Sequence, residues 1–89
     1  MKKYNMLLRY NVYNDKILIL YFNNGDIRLL DFDKISKSKN LSENERKRWI
    51  FMYNDGKFTN PEIDKGDLVW PGWVEIFDED IEKETIKIN

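Results

Sequence analysis

The groups able to do chemistry in this 89-residue chain are carboxylates. Asp64 and Asp67 flank a turn containing a glycine, while Glu75, Asp78, Glu79 and Asp80 crowd one C-terminal stretch. The chain holds no histidine and no cysteine. That removes the commonest general base, the commonest nitrogen and sulfur metal ligands, and every Ser-His or Cys-His pairing. No Gly-x-x-x-x-Gly-Lys-Ser/Thr or Gly-x-Gly-x-x-Gly loop occurs, so the familiar phosphate cradles are missing. Two carboxylates can suffice for a glycosidase. A calcium or magnesium site needs oxygen ligands converging from spaced positions, and Asp78-Glu79-Asp80 lacks the alternation of an EF-hand loop. Acidic residues in the first turn of a helix stabilise its dipole without any further role. The expectation is therefore no catalytic residue, no metal and no cofactor, with a carboxylate-dependent enzyme ranked last among the alternatives.

With catalysis set aside, surfaces remain. Trp70 and Trp73 straddle Pro71-Gly72; Trp70 ends a strand and is expected in the core. Trp73 lies just beyond the turn, where an exposed indole would make a binding anchor. Arg46, Lys47 and Arg48, with Lys37 and Lys39 nearby, form a basic patch at the start of a helix, against the favourable sense of its dipole. Residues 1–48 carry 11 Lys/Arg against 6 Asp/Glu, and residues 49–89 carry 4 against 10. This division gives one basic and one acidic surface if the fold keeps the halves apart, and cancels if they pair. A sequence pI near 5.4 is low for a nucleic-acid binder.

Three strands position the first half. Residues 5–13 form a first strand, with Met6, Leu8, Tyr10 and Val12 on one face, and Asn14-Asp15 is its turn. Residues 16–22 are almost continuously apolar, which predicts a central strand covered on both faces. Asn23-Asn24-Gly25-Asp26 supplies the positive φ of a tight hairpin, and residues 27–32 form the third strand. Asp31 or Asp33 caps a short helix over 34–37. Ser42 and Glu45 make a capping box for a helix running to about Asn54, with Gly56 just past its end. Its apolar side is Trp49, Met52 and Tyr53, widened by Ile50 and Phe51. Pro61 confines residues 58–63 to a sheet edge or a bulge. Residues 64–67 turn, 68–70 form a short strand, 73–77 alternate weakly, and Asp78-Glu79-Asp80 starts a last short helix.

The fold expected is α+β: an N-terminal three-stranded antiparallel meander packed on one central helix, with a short C-terminal strand and helix. Its length suits a single domain over 1–89, with 13 aromatics as core material. The absence of cysteine suits a reducing cytosol, and no apolar run approaches the roughly 20 residues of a membrane helix. A cytoplasmic location is the expectation.

Three segments together resemble the DUF2442 family. The first is Lys-Ile-Leu-Ile-Leu-Tyr-Phe-Asn-Asn-Gly-Asp-Ile-Arg-Leu-Leu-Asp-Phe at 16–32, an apolar strand, an Asn-Gly hairpin and a strand ending in aspartate. The second is the helix with the strand that follows it. The third is Asp67-Leu-Val-Trp-Pro71 followed by Val74-Glu-Ile-Phe-Asp-Glu-Asp-Ile81. The likeness covers roughly residues 12–82. Gly72-Trp73 stand where the family usually has Asn-Gly, Glu75 stands where aspartate is usual, and the helical insert is longer and more basic. The resemblance implies a small regulator, antitoxin-like because members are often encoded beside a small toxin-like protein. The expected role is thus a non-enzymatic protein-binding regulator, partnering a toxin-like protein or inhibiting a larger enzyme, with Glu75 to Glu84 able to mimic phosphate charge. Trp73, Glu75, Asp78, Glu79, Asp80, Arg46, Lys47 and Arg48 are the candidate contacts. A nucleic-acid-binding module using the basic helix start is the alternative, and homodimerisation through the first strand's edge is a third use.

Overall fold

The computed structural model describes residues 6–76, 80 and 83–89. In chain order the elements are β1 (Leu7–Asn14), β2 (Ile17–Phe22), β3 (Ile27–Asp31), α1 (Phe32–Ile35) and α2 (Glu43–Asn54). They continue with β4 (Glu62–Asp64), β5 (Asp67–Trp70), β6 (Val74–Ile76) and β7 (Ile86–Lys87). The meander β1-β2-β3 is antiparallel, and β7 joins it against β3. β4-β5-β6 make a second, three-stranded antiparallel sheet. The architecture is α+β.

Local chemistry explains the helix boundaries. The Ser42 Oγ accepts from the Glu45 N–H at 3.1 Å, and Glu45 Oε1 accepts from the Ser42 N–H at 2.8 Å. This reciprocal pair satisfies two of the amide donors that a helix start leaves open. At the other end the Lys57 N–H returns to the Met52 carbonyl and the Gly56 N–H to the Tyr53 carbonyl. Gly56 sits at φ 76°, so the helix closes in a Schellman turn. Asp31 caps α1 by accepting from the Asp33 N–H at 2.9 Å.

The second sheet is shaped by two turns. Lys65 (φ 52°) and Gly66 (φ 86°) are both left-handed, the signature of the tight two-residue hairpin that links β4 to β5. The tip of this hairpin docks on the first sheet, where the Leu7 N–H donates to the Gly66 carbonyl at 3.0 Å. Pro71-Gly72, with Gly72 at φ 83°, returns the chain from β5 to β6. The strand expected over 58–63 is shorter: Phe58 and Thr59 lie in a turn, Pro61 stays outside the sheet, and β4 begins only at Glu62, on one edge of its sheet.

One core joins both sheets to the helices. Leu18, Leu20 and Leu30 from the first sheet, Met52 from α2 and Leu68 from the second are fully buried. Trp49 and Trp70 meet edge to face at 4.9 Å, and Phe32 stacks on Tyr53 at 4.1 Å. Such pairs add about 0.5–1.5 kcal/mol each beyond burial.

Several expectations need correction. β2 is central, but only Leu18, Leu20 and Phe22 are buried; Ile17, Ile19 and Tyr21 face outward and are half-buried. Core elements cover one face of the sheet, so a continuous apolar run does not here mean burial on both faces. On β1 the buried residue is Leu7, while Met6, Leu8 and Val12 are exposed. A register shift between Leu7 and Arg9 breaks the alternation that the sequence suggests, bringing Leu7 opposite Phe22 and Tyr10 opposite Leu20. The third strand stops at Asp31, because Phe32 already opens α1, two residues earlier than the expected 34–37 helix. The C-terminal strand anticipated after Trp73 belongs to a separate sheet, and β7 was not anticipated at all.

Candidate functional site

A groove of about 770 Å³ runs between α2 and the β5–β6 hairpin. Its base is aromatic, from Trp49 on the helix and Trp70 at the end of β5. Glu45 and Arg48 stand along the helical wall, three residues apart and hence on one face. Trp73, Val74 and Glu75 form the opposite wall, and Asp80 contributes to the lining. Trp73 packs part of its indole against the core and is half-buried. Its placement follows from the Pro71-Gly72 turn, which closes with the Trp73 N–H donating to the Trp70 carbonyl at 2.9 Å.

Four of the eight residues singled out from the sequence therefore line one groove: Arg48, Trp73, Glu75 and Asp80. Asp78 and Glu79 lie outside the described residues. The basic triad is dispersed, because neighbouring residues on a helix point about 100° apart. Arg46 turns back and donates to the carbonyls of Ser38 at 3.1 Å and Leu41 at 2.7 Å, tying down the loop before the helix. Lys47 pairs with Glu43 one turn earlier at 3.6 Å, both well exposed. Only Arg48 turns to the groove.

The acidic series divides as well. Glu84 is 3% exposed and accepts from the Ser38 hydroxyl at 3.0 Å, so it takes no part in an acidic surface and corrects the expected Glu75 to Glu84 stretch. Glu75, by contrast, is exposed. Among the described residues Arg48, Glu75 and Asp80 enter no ion pair. Glu45 gives one oxygen to its cap and carries its charge into the groove lining. The site thus combines an aromatic base with three carboxylates and one guanidinium, a surface suited to a positively charged, partly apolar contact.

Sequence reasoning missed Glu45 and Trp49 as groove residues, having assigned one to the cap and the other to the core. The signal was present in their spacing: four residues apart on α2, with Arg48 between, they share a face. Among the described residues no three acidic side chains converge in a metal-binding group, and no helix is long and apolar enough to cross a membrane. No protein-family model matches the chain, and neither curated proteins nor solved structures yield a match.

Proposed function

We propose that the chain is a non-enzymatic regulator that binds another protein through the groove between α2 and the β5–β6 hairpin. The convergence of Trp73, Arg48, Glu75 and Asp80 on that groove carries the reading. A half-buried indole beside unpaired charges has the composition of an interface centre, where aromatic residues and arginine dominate the energy. The likeness to the DUF2442 family points the same way, toward an antitoxin-like partner or an inhibitor of a larger cytoplasmic enzyme. The nucleic-acid alternative draws less support, because Arg46 is engaged by backbone carbonyls and Lys47 by Glu43.

The test is tandem affinity purification of the tagged chain from its native host, in parallel with Glu75→Lys. Expected is one stoichiometric protein that is retained by the wild type and lost from the variant. A wild-type preparation containing this chain alone, or a partner indifferent to Glu75→Lys, overturns the proposal.

A further inference from the structure

The four-stranded sheet has two faces, and the core covers one of them. Strand register places Asn11, Ile19, Leu29 and Ile86 in a row across the other face. Arg9, Tyr21 and Ile27 form the next row. Ile88 continues that row, since its N–H donates to the Ile27 carbonyl at 2.9 Å. Ile86 is 44% and Ile88 50% exposed, and Ile19, Tyr21, Ile27 and Leu29 are half-buried. None of the six belongs to the buried core. This contiguous apolar face explains why β2 has a sequence suited to burial on both sides. The largest apolar patch on a small domain is often its contact surface.

The charges at its margins indicate the occupant. Arg9 lies over the Tyr21 ring at 3.8 Å, at one corner of the face on β1. Asp31 follows Leu29 by two residues on β3, so alternation puts it on the same face, diagonally across from Arg9 and beside Ile17, with Oδ1 held by the Asp33 N–H and Oδ2 left for a second contact. The centre between them is free of charge. A two-fold axis lying in the contact plane exchanges these corners and sets Arg9 of each copy against Asp31 of the other. An isologous interface requires this self-complementarity. The strands of the two sheets then cross steeply, close to orthogonal sheet packing.

We infer that this face is the interface of a homodimer of the chain, formed by packing two four-stranded sheets face to face and leaving each groove free. Four strands about 4.8 Å apart and about five residues of about 3.3 Å give a footprint on the order of 300 Å². A standard interface covers roughly 800 Å² on each partner. The dimer is accordingly weak and depends on concentration.

Sedimentation velocity over a concentration series from the low micromolar to the sub-millimolar range tests it. The wild type is expected to move from monomer to dimer. Leu29→Lys, at the centre of the face, and Ile86→Lys, at its exposed edge, are expected to stay monomeric with native circular dichroism. Arg9→Glu, which opposes two carboxylates, is expected to weaken association about tenfold. A wild type that remains monomeric throughout overturns the inference. So does a dimer that persists in the Ile86→Lys variant, including one formed by pairing of β1 edges.

Discussion

The indole N–H of Trp70 donates to the backbone carbonyl of Phe58 at 3.0 Å, and the two rings stack at 5.9 Å with planes 14° apart. One side chain thus satisfies a buried carbonyl and fills the space beside it. Trp70→Phe keeps most of the aromatic volume but orphans that carbonyl and leaves a small void. The expected loss is about 2–4 kcal/mol, seen as a lower urea midpoint with the slope unchanged.

The capping box is separable from the groove although Glu45 belongs to both. Ser42→Ala removes the acceptor for the Glu45 N–H and is expected to cost about 1 kcal/mol. Thermal unfolding should register a fall of about 4–8 °C in Tm for a domain of this size. Partner retention should not change, because Ser42 does not line the groove.

Two glycines with similar φ should behave differently. At Gly66 (φ 86°) an added Cβ meets Met6 Cβ at 3.0 Å and Met6 Cα at 3.2 Å, whereas at Gly72 (φ 83°) it meets nothing within 4 Å. Gly72→Ala bears the left-handed strain alone, about 1–2 kcal/mol. Gly66→Ala adds a steric contact at the point where the hairpin tip docks on β1. Chemical denaturation of the two variants should rank Gly66→Ala as the more destabilised.

The groove makes a graded binding prediction. Trp73→Ala should weaken partner binding by about 2 kcal/mol or more, roughly 30-fold, as truncation of an aromatic anchor does. Because Trp73 also packs on the core, some stability is lost with it. Glu75→Lys reverses an exposed charge and should weaken binding without moving Tm. Calorimetry with the purified partner measures both.

Two tyrosines predict the alkaline limb of stability. Burial pushes the Tyr10 phenol above its ordinary value, and its hydroxyl donates to the Pro61 carbonyl at 2.8 Å. Burial raises Tyr53 as well, together with the hydrogen bond it donates to Asp15 at 3.1 Å. Folding therefore favours the neutral phenols. Their contribution is complete below the ordinary phenol value of about 10 and is lost as pH climbs through the raised value. The urea midpoint should fall in that alkaline window, and Tyr10→Phe with Tyr53→Phe should flatten the decline.

Much of the local structure was legible because its causes are local. Ser42 and Glu45 specified a helix start three residues apart, Gly56 its end, and Pro61 a break in the pattern, after which β4 begins. Trp70 was placed in the core by its position at a strand end before Pro71. These are consequences of dihedral preference and of hydrogen bonds within a few residues, which a linear reading can follow.

Tertiary structure decided what depends on distant contacts. Leu7 rather than Leu8 faces the core because a bulge on β1 breaks the alternation, and no residue type announces that shift. Arg46, Lys47 and Arg48 are consecutive letters, yet helical rotation sends them to three different environments. Glu75 and Glu84 are both acidic, but one is exposed at the groove and the other is buried against Ser38. Local pattern was enough for the meander, the capped helix α2 and the lack of imidazole and thiol, but not for β7. Only the packing of the two sheets about one core decided which side chains meet, because burial and proximity belong to the assembled whole rather than to any segment of it.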